Sequence, residues 1–181
     1  SHLLTGHVLQ FSGNPFTRPW QDAVRIDENS ALLIEGGRIT AVGEAARAAA
    51  GPHTQTQDHN GRLILPGFVD SHAHYPQTAI IASWGKRLID WLNTYTFPEE
   101  MRLADPAYAR AIAHRYLDLV LDHGTTSVAS FCTIHPPGVD ALFEAAATRG
   151  MAVVAGKTCM DRNAPDGLRD TAQSAYDDSK A

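Results

Sequence analysis

Two imidazoles separated by one residue close an apolar run, Leu63-Ile64-Leu65-Pro66-Gly67-Phe68-Val69-Asp70-Ser71-His72-Ala73-His74. In a strand, side chains at i and i+2 point to the same face, so His72 and His74 can stand side by side. Neutral imidazole is a nitrogen ligand for divalent metals, and two on one face can grip a single ion. A His-X-His pair by itself recurs by chance. One that ends an apolar strand after Pro-Gly is a more specific sign; the competing reading makes both histidines surface residues on a loop. Catalytic zinc takes three protein ligands and an exchangeable water, whose pKa it lowers toward about 7. The pair is therefore a partial ligand set, and the third ligand must come from elsewhere.

The elements that would position this pair follow from the pattern around it. The run Leu63 to Asp70 has few polar residues, which predicts a strand buried on both faces, as in parallel α/β sheets and barrels. In barrels the chemistry sits at the carboxyl ends of the strands, where the histidines lie. A long connection from Tyr75 to about Leu103 follows, carrying Trp84, Trp91, Tyr95 and Phe97. A loop of that length is a lid or a rim anchor. Asp105-Pro106 opens a helix as N-cap and first helical residue. Its apolar stripe is Ile112, Ala113, Tyr116, Leu117 and Val120, and Gly124 ends it. Thr125 to Cys132 reads as the second strand. Gly138 to Arg149 is the next helix, with Val139, Leu142, Phe143, Ala146 and Ala147 inward and Gly150 as C-cap. Met151 to Thr158 is the third strand, and Asp170 caps a third helix.

Three consecutive β-α units imply a parallel sheet with right-handed crossovers. The expected class is α/β, the first half of a (β/α)8 TIM-like barrel. A closed barrel needs eight units and typically ~250 residues, so the chain of 181 residues reads as truncated. An open doubly wound sheet is the alternative, disfavoured because no Gly-X-Gly-X-X-Gly turn follows the first strand. Residues 1–65 form a separate β-rich segment, ahead of a barrel portion over 66–181. The segment holds a strand at His7 to Phe11 and a hairpin of Ala31–Glu35 with Arg38–Val42 around Gly36-Gly37. A short helix over Glu44 to Ala50 and a turn-like polar stretch from Pro52 to Asn60 complete it.

Composition excludes several partners. Lys and Arg number 15 against 20 Asp and Glu, a net charge of −5, so no basic face for nucleic acid is expected. No apolar run reaches the ~18 residues of a membrane span, and no secretory signal pattern is present. The two cysteines, Cys132 and Cys159, lie in apolar runs and are expected as buried free thiols, which makes the cytoplasm the default location. Among the other histidines, His114 and His123 fall on the helix before Gly124 and read as structural. His135, at the end of the second strand, is a candidate third ligand or pocket residue, or else a rim histidine held by backbone bonds. Asp70 shares the strand face of the pair in this reading. It would either orient a ligand imidazole or bond to backbone inside the barrel. Arg162 and Asn163, after the third strand, are further candidates for the pocket wall.

Pro66-Gly-Phe-Val-Asp-Ser-His-Ala-His74 resembles the first-strand signature of the amidohydrolase superfamily, and the β-rich start is similar to that superfamily's N-terminal sandwich segment. Three further stretches resemble the guanine deaminases within it. They are His74-Tyr-Pro-Gln77, Leu88-Ile-Asp-Trp-Leu-Asn-Thr-Tyr-Thr-Phe-Pro-Glu-Glu100, and Gly156-Lys-Thr-Cys-Met-Asp-Arg-Asn-Ala-Pro165 with Asp170-Thr-Ala-Gln-Ser174. The resemblance covers residues 31–181. It implies a homodimeric hydrolase, with one Zn²⁺ per chain, that converts guanine to xanthine and ammonia. His72 and His74 then bind metal, and His74 and Gln77 contact the substrate. A glutamine amide suits a heterocycle edge because it offers both donor and acceptor. No catalytic proton shuttle falls within this stretch; the family carries it, the remaining ligands and an Arg-Phe pair on later strands. Lys157 is similar to lysines that bridge two metals in other amidohydrolases, but those lie on a later strand, and a structural role is expected. The runner-up functions are another ring amine or halide hydrolase, such as a triazine hydrolase or other purine deaminase, and a non-catalytic scaffold.

Overall fold

The computed structural model describes residues 1–180 and divides into two compact units, Ser1–Pro66 and Gly67–Ala181. The first unit contains β1 (His2–Phe11), α1 (Trp20–Ala23), β2 (Val24–Glu35), β3 (Arg38–Val42), α2 (Glu44–Ala49) and β4 (Gln55–Ile64). Its sheet runs β3-β2-β1-β4, with β1 antiparallel to β2 and parallel to β4. Gly36 and Gly37 join β2 to β3 at φ of 56° and 75°, values that residues with a Cβ rarely adopt. Leu3, Ala31, Leu33 and Ala46 form the core of this unit.

Two expectations change here. The polar stretch from Pro52 to Asn60 is not a turn throughout, because Gln55–Ile64 is a strand. It sits at the sheet edge with most residues exposed, so it shows no apolar alternation to read. The run Leu63 to Asp70 is also not one strand. Leu63 and Ile64 end β4, and a new strand, β5 (Phe68–His74), begins after Pro66-Gly67. Proline has no N–H for the ladder, so the break falls where the chemistry demands it.

The second unit continues with α3 (Leu88–Trp91), α4 (Phe97–Met101), α5 (Pro106–Asp122), β6 (Thr125–Phe131), α6 (Pro136–Arg149), β7 (Ala152–Gly156) and α7 (Ala172–Lys180). Its three strands form a parallel sheet in the order β5-β6-β7. Phe68 and Val69 are 56% and 71% exposed rather than buried on both faces. The connection from Tyr75 to Ala104 is largely helical: 3-10 turns at both ends, α3, a π-turn over Leu92–Thr96 and α4. Among the described residues no helix is long and apolar enough to cross a membrane.

Tyr75, Leu103, Ile112, Leu117 and Leu142 lead the core of this unit, against Val128 of β6. Asp105 caps α5 by accepting from the Ala107 N–H at 2.9 Å, and Pro106 takes the first helical position. On α6 the inward face is Gly138, Ala141, Leu142, Ala145 and Ala146, one position away from the expected stripe, and Phe143 is 42% exposed. Ala141 and Ala145 let the helices come close; the larger Phe143 is displaced outward. Asp170 does not cap α7. Thr171 does: its Oγ1 accepts from the Ser174 N–H, and Ser174 Oγ accepts from the Thr171 N–H, each at 3.0 Å. Cys132 is buried as expected, whereas Cys159 is exposed.

Gly67 lies against Thr126 of β6. A Cβ at this position would stand 2.1 Å from Thr126 Oγ1 and 2.7 Å from its Cβ. Rotating the threonine cannot move its own Cβ, so the backbone must yield. Gly67→Ala is expected to cost about 1–3 kcal/mol, read as a lower urea midpoint with unchanged slope. An unchanged midpoint would contradict this packing.

Candidate active site

The end of β5 is set by its register on β6. Asp70 aligns with Val128, but Ala73 aligns with Ser130 and His74 with Phe131, so β5 carries one extra residue between them. This is a β-bulge. Continued from Asp70 and Val128, the register would align His72 and His74 with Ser130 and Cys132, both buried. An opposite shift between Phe68 and Val69, where β6 carries the extra residue, means that the end of β5 returns to the register Phe68 makes with Thr125. The two shifts cancel, and His74 ends beside Phe131. The second shift also puts Asp70 out of phase with the histidines, contrary to the shared face expected. Asp70 Oδ1 instead accepts from the His72 backbone N–H at 3.0 Å. Its charge reaches the core side: after burial, Asp70 is the next cause that pushes the Tyr116 phenol up to about 12.

The His72 and His74 rings stand 5.3 Å apart between centroids. Phe131 walls both, stacked on His74 at 4.9 Å and edge-on to His72 at 5.5 Å. Burial, and then the nearby His72, hold the His74 imidazole below its ordinary value. Both effects favour the neutral ring, the form whose lone pair a metal needs. The pair fits two positions of a zinc site by donor type and by face. Among the described residues no third His, Cys, Asp or Glu joins it.

The chain beyond His74 is pinned. Ser130 Oγ accepts from the Tyr75 N–H at 3.0 Å and donates to the Phe131 carbonyl at 3.0 Å. The fully buried Tyr75 ring donates its hydroxyl to the Gly138 carbonyl on α6. The 3-10 turn Tyr75–Ile80 starts from this anchor and carries Gln77, which donates from Nε2 to Glu100 Oε1 at 3.2 Å. His72, His74 and Gln77 line one cleft of about 410 Å³. A second cleft of about 340 Å³, on the strand face, is lined by Ser71, His72, Phe131, Gly156 and Lys157 among others.

The remaining candidates lie apart. His135 is the N-cap residue of α6 and lines neither cleft. Its Nε2 is buried without a hydrogen-bond partner, and burial followed by the Lys157 charge lowers its pKa. Arg162 is exposed on the segment after β7, lines neither cleft, and has no ion pair among the described residues. Lys157 has the structural role expected of it. Its Nζ donates to Ile134 O (3.0 Å), Thr158 O (3.2 Å) and Asp170 Oδ2 (2.8 Å), which uses all its protons. His114 meets Arg149, and His123 bonds the Leu119 carbonyl at the end of α5. Sequence reasoning did not single out Ser130, Phe131 or Glu100. For Glu100 a signal existed: two adjacent carboxylates between apolar neighbours, Phe97-Pro98 and Met101.

The model of the amidohydrolase family matches residues 63–181. The chain belongs to that family. It is 46% identical over 160 residues to the guanine deaminase of Escherichia coli, a match covering 87% of this chain and 36% of that enzyme. The structure of an E. coli guanine deaminase superposes with a TM-score of 0.90 at 40% identity, over 99% of this chain and 42% of that one. The C. acetobutylicum enzyme, solved with guanine bound in its active site, follows at 0.80 and 28% identity, over 99% and 41%. The chain thus spans about two fifths of these amidohydrolases. The superposition establishes the three β/α units as the corresponding part of an amidohydrolase barrel, preceded by the β-rich unit.

Ser130→Ala would leave the buried Tyr75 N–H without an acceptor. We expect a loss of about 1–3 kcal/mol in a urea melt; wild-type stability would show that this bond does not hold the strand end. Replacing His72 or His74 with Ala in the complete polypeptide is expected to remove bound zinc, measured by plasma mass spectrometry. Full retention in both variants would contradict the ligand assignment.

Proposed function

We propose that the protein carrying this chain is a zinc-dependent aminohydrolase that converts guanine and water to xanthine and ammonia. The observation that carries the reading is the grouping of His72, His74 and Gln77 around one cleft. It occurs in a segment 46% identical to a guanine deaminase. His72 and His74 are the residues that would hold zinc. When bound there, zinc supplies a Lewis acid and makes water acidic enough to lose a proton near neutrality.

The chain's own residues bind and orient. Gln77 offers an amide to the purine edge, where a hydrogen-bonding site rejects analogues that leave it unpaired. Phe131 holds both imidazoles from one side, which limits their rotation. Burial, and then His72, lower the His74 pKa, which favours the neutral ring whose lone pair a metal needs. A homodimer, from the resemblance, and a cytoplasmic location, from two unpaired thiols, belong to the same reading.

Xanthine formation from guanine by the zinc-loaded complete polypeptide tests this reading, followed in the ultraviolet. We expect turnover, and Gln77→Ala should raise KM by about tenfold or more with zinc content unchanged. A zinc-loaded protein that makes no xanthine would overturn the assignment.

A further inference from the structure

We infer that Glu100 is a positioning residue for substrate recognition: it takes one N–H of the Gln77 amide and so fixes which end of that amide faces the cleft. The inference rests on the reading of Gln77 as a purine contact and extends it to the residue that orients Gln77.

Adjacent carboxylates on α4 show the contrast. Glu99 and Glu100 are each 6% exposed. Glu99 is explained by the fold, since it binds Arg102 at 3.0 Å and receives the Tyr108 hydroxyl. Glu100 has a single side-chain partner among the described residues, Gln77 Nε2 at 3.2 Å. Burial pushes its carboxyl up, and the bond from Gln77 draws it back down. Burying a carboxyl group with one amide partner is costly, and an apolar side chain would fill the space without that cost. Its contact with Gln77 gives this buried carboxyl a role.

An amide is nearly symmetric in shape but not in chemistry. A half-turn about its last bond exchanges an acceptor for two donors. Gln77 Nε2 donates to Glu100 Oε1 at 3.2 Å, and that bond holds the orientation that directs Nε2 toward Glu100. Gln77 Oε1 then has no protein partner among the described residues, and the second N–H is also unclaimed. Both are available to a ligand in the cleft shared with His72 and His74. The recognised edge must therefore bring a ring N–H to Oε1, beside an acceptor for the amide proton. Fixing the amide before binding also removes part of the ordering cost from the binding step.

The test is a double-mutant cycle in the zinc-loaded complete polypeptide, with guanine as substrate. Glu100→Leu should raise KM by about tenfold with kcat within a few-fold, the sign of lost uniform binding. Glu100→Gln keeps a carbonyl acceptor and should recover most of the loss. In the Gln77→Ala background, Glu100→Leu should add nothing further to KM. An unchanged KM in Glu100→Leu, or a full additional loss in the Gln77→Ala background, would reduce Glu100 to a packing residue. If Glu100→Leu does not fold, Glu100→Met, with a more adaptable side chain, carries the same cycle. An active wild type with an unaffected Glu100 variant defeats this inference alone. A wild type that yields no xanthine defeats the parent reading and this inference with it.

Discussion

The register of β5 on β6, with its two opposite one-residue shifts, is the constraint on which the site depends. A strand has two faces, and a single slip exchanges them. The register of Val69 and Asp70, if continued, would put the histidines on the face of Val128 and Cys132, in the core; the second shift undoes the one between Phe68 and Val69 and restores the register of the strand start. The histidines then emerge beside Phe131. The bulge in β5 lies in a parallel pair, where bulges are rare, and directly before the candidate ligands, where a re-aimed side chain serves chemistry.

Everything nearby serves to hold that register. Ser130 ties the chain directly after His74 to β6, and Tyr75 carries the tie across to α6. From this anchor the 3-10 turn places Gln77, while α4 brings Glu100 from the other end of the connection to meet it. At the other end of the strand order, beyond β7, Lys157 and Asp170 form a buried ion pair that fastens the segment after β7 to the strand ends. Such a pair is weak evidence for stability but good evidence that this segment has one place to be.

Much of this was legible in the chain. The His-X-His pair after an apolar run, the Asp105-Pro106 start of α5, the stop at Gly124 and the glycine hairpin all carry local signals that tertiary structure does not overturn. What escaped reading was of another kind. A bulge is a property of two strands together, and Asp70-Ser71-His72 contains no glycine to mark it. The strand β4 is polar because it lies at an edge, so periodicity is silent there. The face of α6 was misjudged because a large phenylalanine outranks alanine by hydrophobicity, yet close helix packing selects the alanines. Asp170 looked like a cap by type and position, but a buried lysine claimed it. Glu100 was inconspicuous because its meaning depends on Gln77, which is 23 residues away in the chain.

The central claim is that His72 and His74 jointly hold a metal ion. Anomalous diffraction at the zinc edge from crystals of the complete polypeptide, grown with zinc, tests it most directly. The account predicts one peak within about 2.0–2.1 Å of a ring nitrogen of each residue. A peak elsewhere in an active enzyme, with both rings unligated, would contradict it.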